Sequence, residues 1–429
     1  MKSAVKLLVL LSCLGVSAQL CEIPPADSLL VGRVTRQLLA WMARRSPEEL
    51  NPSIYVGLRL SNQPSQHQDD LYLNSLMIHY QQSFTSLALD HPPKPSMGQL
   101  ALYLLAVRGG CKDIDTRKGN VLVTQLKHYL EEEKHRIGHE HMGRPLTSYY
   151  QYSLSILALC IHNKKVPGHV VEKLLYATEN DLFLHGNQYS VDTAAMASLA
   201  FSCLQASGLN PGLASWISRA SEHVRDKILG EETSEGYFGN IYSSPLALQA
   251  LMEAPSPVSE VACFQAGAAL LKGLQEGAFQ NPILLSQLLP ILHQRTYLSL
   301  MQLDCNDKRG PLEADLITQI PLTQEPRNIR VQLKVRAEPQ LMFLHDGQYS
   351  VPEGATLEDV LSKAQEESWF TYETQTTLSG PFLTAVMGIR PGERQYWQLL
   401  RAPDTPLMQG IANYRPQDGE TILLSLANS

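Results

Sequence analysis

The sequence of 429 residues lacks the short motifs that identify several classes of hydrolase. It has no Gly-x-Ser-x-Gly segment, which forms the nucleophile turn of α/β-hydrolases, and no His-Glu-x-x-His segment, which binds zinc in metalloproteases. A glycosidase needs two facing carboxylates, whereas the predicted starts of the apolar helices carry a single acidic side chain, Asp192. These absences argue against an enzyme of any of these classes.

A long apolar run and a usable N-glycosylation sequon are also missing after the N-terminus. No run beyond residue 18 approaches the roughly 20 apolar residues that a membrane-spanning helix needs, so we expect no membrane insertion. Residues 51–53 (NPS) have the spacing of a sequon, but the proline blocks it, and we expect no N-linked sugar. The formal net charge of −7 disfavours nucleic acid and anionic membranes as partners.

Residues 1–18 have the pattern of a secretory signal peptide, which predicts a secreted, extracellular protein. Lys2 and Lys6 form the basic start, residues 7–15 a short apolar core, and residues 16–18 (VSA) a small-residue cleavage site. Cleavage would remove two lysines and move the formal net charge from −7 to −9.

The chain has seven cysteines, of which Cys13 would leave with the signal peptide. An even number in an exported chain favours three disulfides, although the sequence alone does not select among their pairings. Buried free thiols are the alternative. The remaining cysteines are Cys21, Cys111, Cys160, Cys203, Cys263 and Cys305.

Residues 27–305 are predicted to be almost entirely helical, with two kinds of helix in alternation. Amphipathic helices, which cover the surface of a domain, are expected at 28–45, 120–137, 170–180 and 215–229. Helices that are apolar on nearly every face, and therefore buried all round, are expected at 97–107, 148–162, 191–204, 245–252 and 282–293.

Polar residues that favour helix N-termini precede the apolar helices. The predicted caps are Ser96, Thr147, Ser190, Ser244 and Asn281. Pro245 and Pro282 follow the last two, and proline suits the first helical position. Asp192, in the first turn after Ser190, suits the positive end of the helix dipole.

Successive apolar helices start about 40 to 50 residues apart, which is typical of two-helix repeats. Amphipathic outer helices around buried inner helices predict an α/α toroid, and a plain helical bundle is the alternative. In a toroid the inner helices run parallel, so their N-termini meet at one rim. We therefore expect a pocket lined by cap and first-turn side chains.

The character of the chain changes after Cys305. Residues 306–327 are polar and contain three prolines, which indicates a linker. Strands are expected at 329–335, 340–344 and 421–426, with one helix that starts after Thr356. The predicted organisation is a signal peptide at 1–18, a helical domain at 19–305, the linker and a small β-rich α+β domain at 328–429.

The predicted rim is rich in neutral hydrogen-bonding side chains. They are Gln99, Thr147, Ser148, Tyr149, Tyr150, Gln151, Asn240, Ser243 and Gln287. Each of them could simply cap a helix and satisfy its backbone. As a group they suit a ligand with many neutral amides, because an amide both donates and accepts, and the two tyrosine rings suit a broad flat ligand.

Three histidines, His135, His139 and His141, together with Glu140, could be read as a metal site. They lie at the predicted end of an amphipathic helix, where histidine is stabilised without any metal. We therefore interpret this segment as a solvated loop.

Four segments of the chain resemble the cobalamin-transport protein family, which comprises transcobalamin, intrinsic factor and haptocorrin. They are residues 147–152 (TSYYQY), 190–197 (SVDTAAMA), 237–243 (YFGNIYS) and 396–400 (YWQLL). The resemblance covers essentially the whole mature chain and is strongest to the transcobalamin branch. The absence of sequons points the same way, because the other two branches are typically glycosylated.

The resemblance implies an α6/α6 toroid followed by a β-rich domain, with cobalamin (vitamin B12) as the transported ligand between them. It implies the disulfides Cys21–Cys263, Cys111–Cys305 and Cys160–Cys203. The implied ligand contacts are Gln99, residues 147–151, Asp192, Asn240, Ser243 and Gln287 from the helices, and Trp397, Gln398 and Leu399 from the small domain.

The chain departs from the family pattern in the loop before Ser190. Family members commonly place a histidine that coordinates cobalt four residues before the aspartate, and here that position is Gln188. An amide carbonyl is a poorer transition-metal donor than imidazole. His185 is the less favoured alternative, and the expectation is that cobalt keeps water or another exogenous ligand.

The predicted function is that of a secreted, monomeric carrier, not an enzyme. It would enclose cobalamin between two domains and deliver it to cells through a surface receptor. The alternatives are a secreted toroid glycan hydrolase with Asp192 as its acid, and a protein-interaction module without a small ligand.

Overall fold

The computed structural model describes residues 21, 23–44, 50–61, 66–85, 95–139, 143–185, 188–254, 260–279, 281–303, 305, 328–337, 343–377, 380–392, 395–407 and 409–428. The predicted signal peptide at 1–18 and linker at 306–327 lie outside these residues. None of the described helices is long and apolar enough to cross a membrane.

Helices form most of the first three hundred residues. They are α1 (Ser28–Arg44), α2 (Pro52–Arg59), α3 (Gln66–Thr85), α4 (Met97–Gly109), α5 (Arg117–Ile137), α6 (Tyr149–Ile161), α7 (Gly168–Glu179), α8 (Val191–Ser207), α9 (Ala214–Gly230), α10 (Ser244–Met252), α11 (Glu260–Gln275) and α12 (Pro282–Leu292). A hairpin of β1 (Leu184–His185) and β2 (Gln188–Tyr189) precedes α8.

Six of these helices form a closed inner ring. In ring order they are α2, α4, α6, α8, α10 and α12, and α12 packs back against α2. The odd-numbered helices lie outside the ring against these six. This arrangement is an α6/α6 toroid, so the predicted fold class is confirmed and the plain bundle is excluded.

The sequence pattern explains which helices lie inside. Residues on every face of α6 and α8 are buried, because each of these helices has neighbours on both sides of the ring and an outer helix behind it. Outer helix α5 buries one stripe of residues, made of Leu122, Val123, Leu126, Leu130 and Ile137. An apolar stripe buries one helix face, and a helix apolar all round must be enclosed.

The helix prediction missed α2, α3 and α11, and it placed two caps one residue away from their observed positions. The N-cap of α6 is Ser148, not Thr147, and that of α10 is Ser243, not Ser244. Ser96, Ser190 and Asn281 are the caps of α4, α8 and α12, as predicted. The start of α2 carries the Asn-Pro pair that also marks α12, so the sequence did contain a signal for it.

Three disulfides fasten the toroid. Cys160–Cys203 joins inner helices α6 and α8, Cys21–Cys263 joins the N-terminal segment to α11, and Cys111–Cys305 joins the end of α4 to the segment after the ring. These are the pairs that the family resemblance implies. Two of them span 242 and 194 residues of sequence, so they hold distant parts of the chain together.

The ring is closed at the C-terminal end of its inner helices. A 3₁₀ turn at Tyr297–Leu300 packs against α4 and α8. Arg108, in the last turn of α4, donates to the carbonyl of Met301 at 3.0 Å. Gln249, which is fully buried in α10, accepts from the N–H of Tyr297 at 3.0 Å. The toroid is therefore a cup whose C-terminal end is covered, and the rim where the inner helices begin is the candidate site.

The C-terminal residues form a second, separate hydrophobic core. Its elements are β3 (Asn328–Arg336), β4 (His345–Pro352), α13 (Leu357–Glu367), β5 (Tyr372–Thr377), β6 (Gly380–Val386), β7 (Gln395–Arg401), β8 (Thr405–Pro406) and β9 (Thr421–Asn428). Five strands pair in the order β4-β3-β9-β7-β8, with β3 and β9 parallel, and β5 pairs with β6. Helix α13 packs on the sheet through Leu357, Val360, Leu361 and Ala364.

The small β-rich body agrees with the prediction in outline. Strands β3 and β9 contain the predicted runs 329–335 and 421–426, and Thr356 caps α13 in a capping box with Asp359. The strand expected at 340–344 lies mostly outside the described residues, and β4 begins at His345. The exact boundaries 305 and 328 stay a prediction.

Closure of the ring depends on Gly57, so we expect Gly57→Ala to destabilise the protein. A Cβ atom at this position in α2 would lie 2.5 Å from the carbonyl oxygen and 2.8 Å from the Cα of Ser286 in α12. Forcing two packed helices apart costs about 1–3 kcal/mol. Urea unfolding of the full chain would measure this loss.

Gly230→Ala is the matched control, because that glycine ends α9 with nothing within 4 Å of its Cβ position. We expect this variant to unfold at the wild-type urea concentration or slightly above it. Equal midpoints for the two variants would contradict the assigned role of Gly57.

Candidate functional site

The six inner helices begin at one rim of the cup. Gly98 in α4 donates its N–H to Gln151 Oε1 in α6 at 3.0 Å, which joins the first turns of these neighbours. At the opposite end, Arg59 of α2 donates to the carbonyl of Gly109 in α4 at 2.8 Å, and Ser202 of α8 donates to that of Glu253 after α10. Neighbouring inner helices are therefore bonded through their first turns at one end and through their last turns at the other, so they run parallel.

Each inner helix starts at a serine or asparagine. The N-caps are Asn51, Ser96, Ser148, Ser190, Ser243 and Asn281. Five of these side chains accept an N–H from the first turn, and Ser243 bonds to the turn before α10 instead. The rim is therefore a ring of polar groups above an apolar interior.

Several of the predicted ligand contacts use their oxygen atoms to build this rim. Gln99 Oε1 accepts the N–H of Ser96 at 2.8 Å, and Ser148 Oγ accepts that of Gln151 at 3.2 Å. Thr147 is exposed, and its hydroxyl donates to the buried carboxylate of Glu133 at 2.6 Å. The amide nitrogens of Gln99 and Gln151 have no acceptor among the described residues. These two side chains can therefore cap a helix and still donate outward.

The turn before α10 is organised in the same way. Asn240 Oδ1 accepts the N–H groups of Tyr242 and Ser243 at 2.8 and 3.0 Å. Ser243 Oγ is buried and donates to the carbonyl of Phe238 at 2.7 Å. The hydroxyl of Ser243 is committed to the turn, whereas the amide nitrogen of Asn240 has no acceptor within the described part of the chain.

The structure separates the two predicted tyrosines. The Tyr149 ring is buried against Tyr152 and Phe183, its hydroxyl is enclosed, and burial raises its pKa to about 12. Tyr150 is half-buried, and burial, with smaller effects from Tyr297 and Asp192, holds its pKa well above the ordinary value. Tyr149 is thus part of the core, and Tyr150 packs against its edge, where the charge of Asp192 also acts on the Tyr150 hydroxyl.

Asp192 is the one acidic residue in the first turns of the described inner helices. Burial raises the pKa of its carboxyl to about 6, although the charge of His185 and a backbone hydrogen bond act in the opposite direction. The first turns of the other described inner helices offer no second carboxylate for the pair that a glycosidase needs.

The hairpin before α8 carries both candidate cobalt ligands. His185 in β1 and Gln188 in β2 are directly opposite one another in the antiparallel pair, and both side chains are exposed. The N–H of Ser190 donates to the carbonyl of Phe183 at 2.8 Å, which ties the base of this hairpin to the start of α8. The hairpin therefore stands at the rim beside Asp192.

In the small body, the three predicted contact residues of β7 do not share a face. Trp397 is 3% exposed, packs in the second core and donates its indole N–H to the carbonyl of Ile389 at 3.3 Å. Leu399 packs against the same core, whereas Gln398 lies on the opposite face beside Ser425. Strand alternation separates neighbouring side chains in this way.

A hydrogen bond joins the rim to the small body, and no local pattern in the sequence predicts it. Gln409 Nε2 donates to the hydroxyl of Tyr242 at 2.5 Å. Gln409 follows β8, which pairs with β7. This contact places the β7–β8 edge of the sheet next to the Asn240–Ser243 turn.

The described residues contain no group of three side chains suited to a metal ion. Glu140 and His141 of the histidine-rich segment lie outside them. His135 is exposed in the last turn of α5. The interpretation of this segment as a solvated loop stays a prediction.

The chain has clear relatives. Residues 3–326 match the family model for eukaryotic cobalamin-binding proteins, and residues 354–428 match a domain of unknown function. The chain is 54% identical to transcobalamin-2 of Bos taurus and 53% identical to that of Homo sapiens, each over 428 residues and 98% of both chains. It is 28% identical to human cobalamin binding intrinsic factor, over 94% of this chain and 92% of the relative.

A solved structure is also similar. The crystal structure of haptocorrin in complex with Cbi has a TM-score of 0.71 to this chain and 26% sequence identity, and the match covers 95% of this chain and 100% of that one. The similarity therefore includes both the toroid and the small β-rich body.

The raised pKa of Asp192 predicts a pH-dependent stability difference between the wild type and Asp192→Asn. The folded protein holds this proton more tightly than the unfolded chain does, so the wild type loses stability as pH rises from about 4 to about 6. At pH 7.5 the ligand-free Asn variant should be more stable by up to about 3 kcal/mol, and at pH 3.5 by much less.

Urea unfolding at the two pH values would measure both differences. Asp226→Asn is the control for removing a carboxylate as such, because it takes away an exposed carboxylate of α9 far along the chain from the rim. A stability difference for Asp192→Asn that is the same at both pH values would show that the carboxyl is not buried in a charged state.

Proposed function

The chain belongs to the eukaryotic cobalamin-binding protein family, and from this premise we propose that it is a secreted carrier of cobalamin. The protein binds vitamin B12 between the rim of the toroid and the small body, and it delivers the vitamin to cells through a surface receptor. Cobalamin is its cargo and takes part in no reaction. The observation that carries this proposal is a polar rim with unused amide donors, with the edge of a second body held next to it.

The chemistry of the rim suits this ligand. The corrin ring carries neutral amide side chains, whose carbonyl oxygens accept hydrogen bonds. The amide nitrogens of Gln99, Gln151 and Asn240 are donors without an acceptor in the described protein, and the half-buried Gln287 side chain is likewise unbonded there. Neutral donors pay a smaller desolvation cost than charged ones when a ligand covers them.

The contacts in the small body are less direct. Of the three β7 residues, Gln398 is half-buried on the face opposite the second core, and it is the contact that we favour. Trp397 and Leu399 would contribute by holding β7 in the second core, where both side chains pack. A ligand covered from two sides loses most of its contact with water, which favours slow release.

We propose that the protein has no catalytic activity, acts as a monomer and remains unglycosylated at asparagine. Asp192 then acts as a hydrogen-bond partner for the ligand or for the hairpin, together with Tyr150. A glycan hydrolase would instead require Asp192 for turnover, and no second carboxylate stands in the first turn of an inner helix.

Titration of the purified protein with aquocobalamin tests the carrier function. We expect a saturable change of visible absorbance with one cobalamin per chain. Gln287 in α12 accepts a hydrogen bond from Gln249 through its backbone carbonyl, and its side-chain amide has no partner among the described residues. Gln287→Ala removes this amide and should weaken cobalamin binding about three- to tenfold. Gln265→Ala, on the exposed face of outer helix α11, should bind as the wild type does.

The absence of any absorbance change on mixing would reject the carrier and favour a protein-interaction module. Turnover of an oligosaccharide that is lost in Asp192→Asn would favour the hydrolase.

We propose further that neither His185 nor Gln188 of the hairpin coordinates cobalt. Bound aquocobalamin then keeps an exchangeable upper ligand. His185→Ala should leave the absorbance spectrum and the rate of azide exchange unchanged. Gln188→His offers an imidazole in the same hairpin and should slow azide exchange. An imidazole-type spectrum of the wild type that disappears in His185→Ala would identify His185 as the ligand.

A further inference from the structure

Tyr242 occupies a fixed position at the rim. Its N–H donates to Asn240 Oδ1 at 2.8 Å, inside the turn that begins α10. Its ring meets the buried ring of Phe279 edge-on, with 6.0 Å between the ring centres. The backbone and the ring are both held by the toroid, so the hydroxyl has a defined direction.

Gln409 lies just before a segment that is bonded to the small body. The N–H groups of Leu357 and Glu358, at the start of α13, donate to the carbonyls of Tyr414 and Ile411 at 2.7 and 2.9 Å. Ile411 is 1% exposed in the second core. The segment that follows Gln409 is therefore fastened to α13, which makes Gln409 part of the small body.

The bond between these side chains crosses from one body to the other. Gln409 Nε2 donates to Tyr242 Oη at 2.5 Å, and both residues are half-buried. Partial burial reduces competition from water, so such a bond contributes more than one on an open surface. In the sequence, Tyr242 follows Asn240 by two residues and directly precedes Ser243, and both of these residues belong to the proposed ligand site.

We propose that Tyr242 and Gln409 form a clasp that sets the rate at which bound cobalamin leaves. This inference rests on the proposed carrier function. A ligand covered by both bodies leaves when the small body separates from the rim, and that separation breaks the Tyr242–Gln409 bond. The clasp acts on the barrier to opening, so it changes the dissociation rate more than the association rate.

The test compares Tyr242→Phe, Gln409→Ala and the double variant with the wild-type full chain. Each protein is loaded with radiolabelled cyanocobalamin, and the release of label into excess unlabelled vitamin is followed. Tyr242→Phe keeps the ring on Phe279 and removes only the hydroxyl. Each single variant should release the ligand about three- to tenfold faster, as expected for the loss of one partly buried hydrogen bond.

The double variant should release the ligand no faster than the faster single variant, because the two changes remove the same bond. Tyr372→Phe is the control, since it removes a tyrosine hydroxyl that bonds Ser362 within the small body at 2.9 Å. Its release rate should equal that of the wild type. Gln409→Met, which keeps the length of the side chain, replaces Gln409→Ala if that variant does not fold.

Two results would overturn the clasp while leaving the carrier function intact: wild-type release rates in both single variants, or effects that add in the double variant. A wild type that takes up no cobalamin would reject the carrier function and the clasp together.

Discussion

The packing of α12 against α2 is the contact on which the rest of the molecule depends, because it closes the ring. In a closed ring each inner helix has neighbours on both sides, and this is why helices such as α6 and α8 can be apolar on every face. Closure also requires the backbones to approach closely, and Gly57 permits that approach at Ser286. The turn at Tyr297–Leu300 covers the far end of the ring, which leaves the N-terminal rim as the end at which we place the ligand.

The rim shows how one set of side chains serves two purposes. Helix starts expose N–H groups, and side-chain oxygens of Gln151, Asn240 and the serine caps satisfy them. An amide has a donor as well as an acceptor, so capping with its oxygen leaves its nitrogen free. Capping and ligand binding are thus compatible functions for Gln99, Gln151 and Asn240. In Ser243 the two functions exclude one another, because its hydroxyl already donates to backbone carbonyls within the turn and is not available to a ligand.

Local sequence signals predicted the elements well where caps and apolar runs coincide. Ser96, Ser190 and Asn281 were assigned correctly, and α2 was missed although Asn51 and Pro52 repeat the α12 signal. For the site, the sequence located the first turns of the inner helices but not the state of each side chain. Tyr149 and Tyr150 are adjacent, yet one ring lies within the core and the other packs against its edge, because a helix turns successive residues by about 100 degrees.

The sequence by itself determined the two kinds of helix, the polar caps and the change to strands after residue 305, because these depend on residues close together in the chain. The family resemblance added the disulfide pairs and the ligand. Tertiary structure alone decided that α12 meets α2, that Trp397 is buried while Gln398 faces the other way, and that Gln409 reaches Tyr242 across 167 residues of sequence. Contacts between such distant residues leave no periodic pattern in the chain, so they become visible only when the chain is folded.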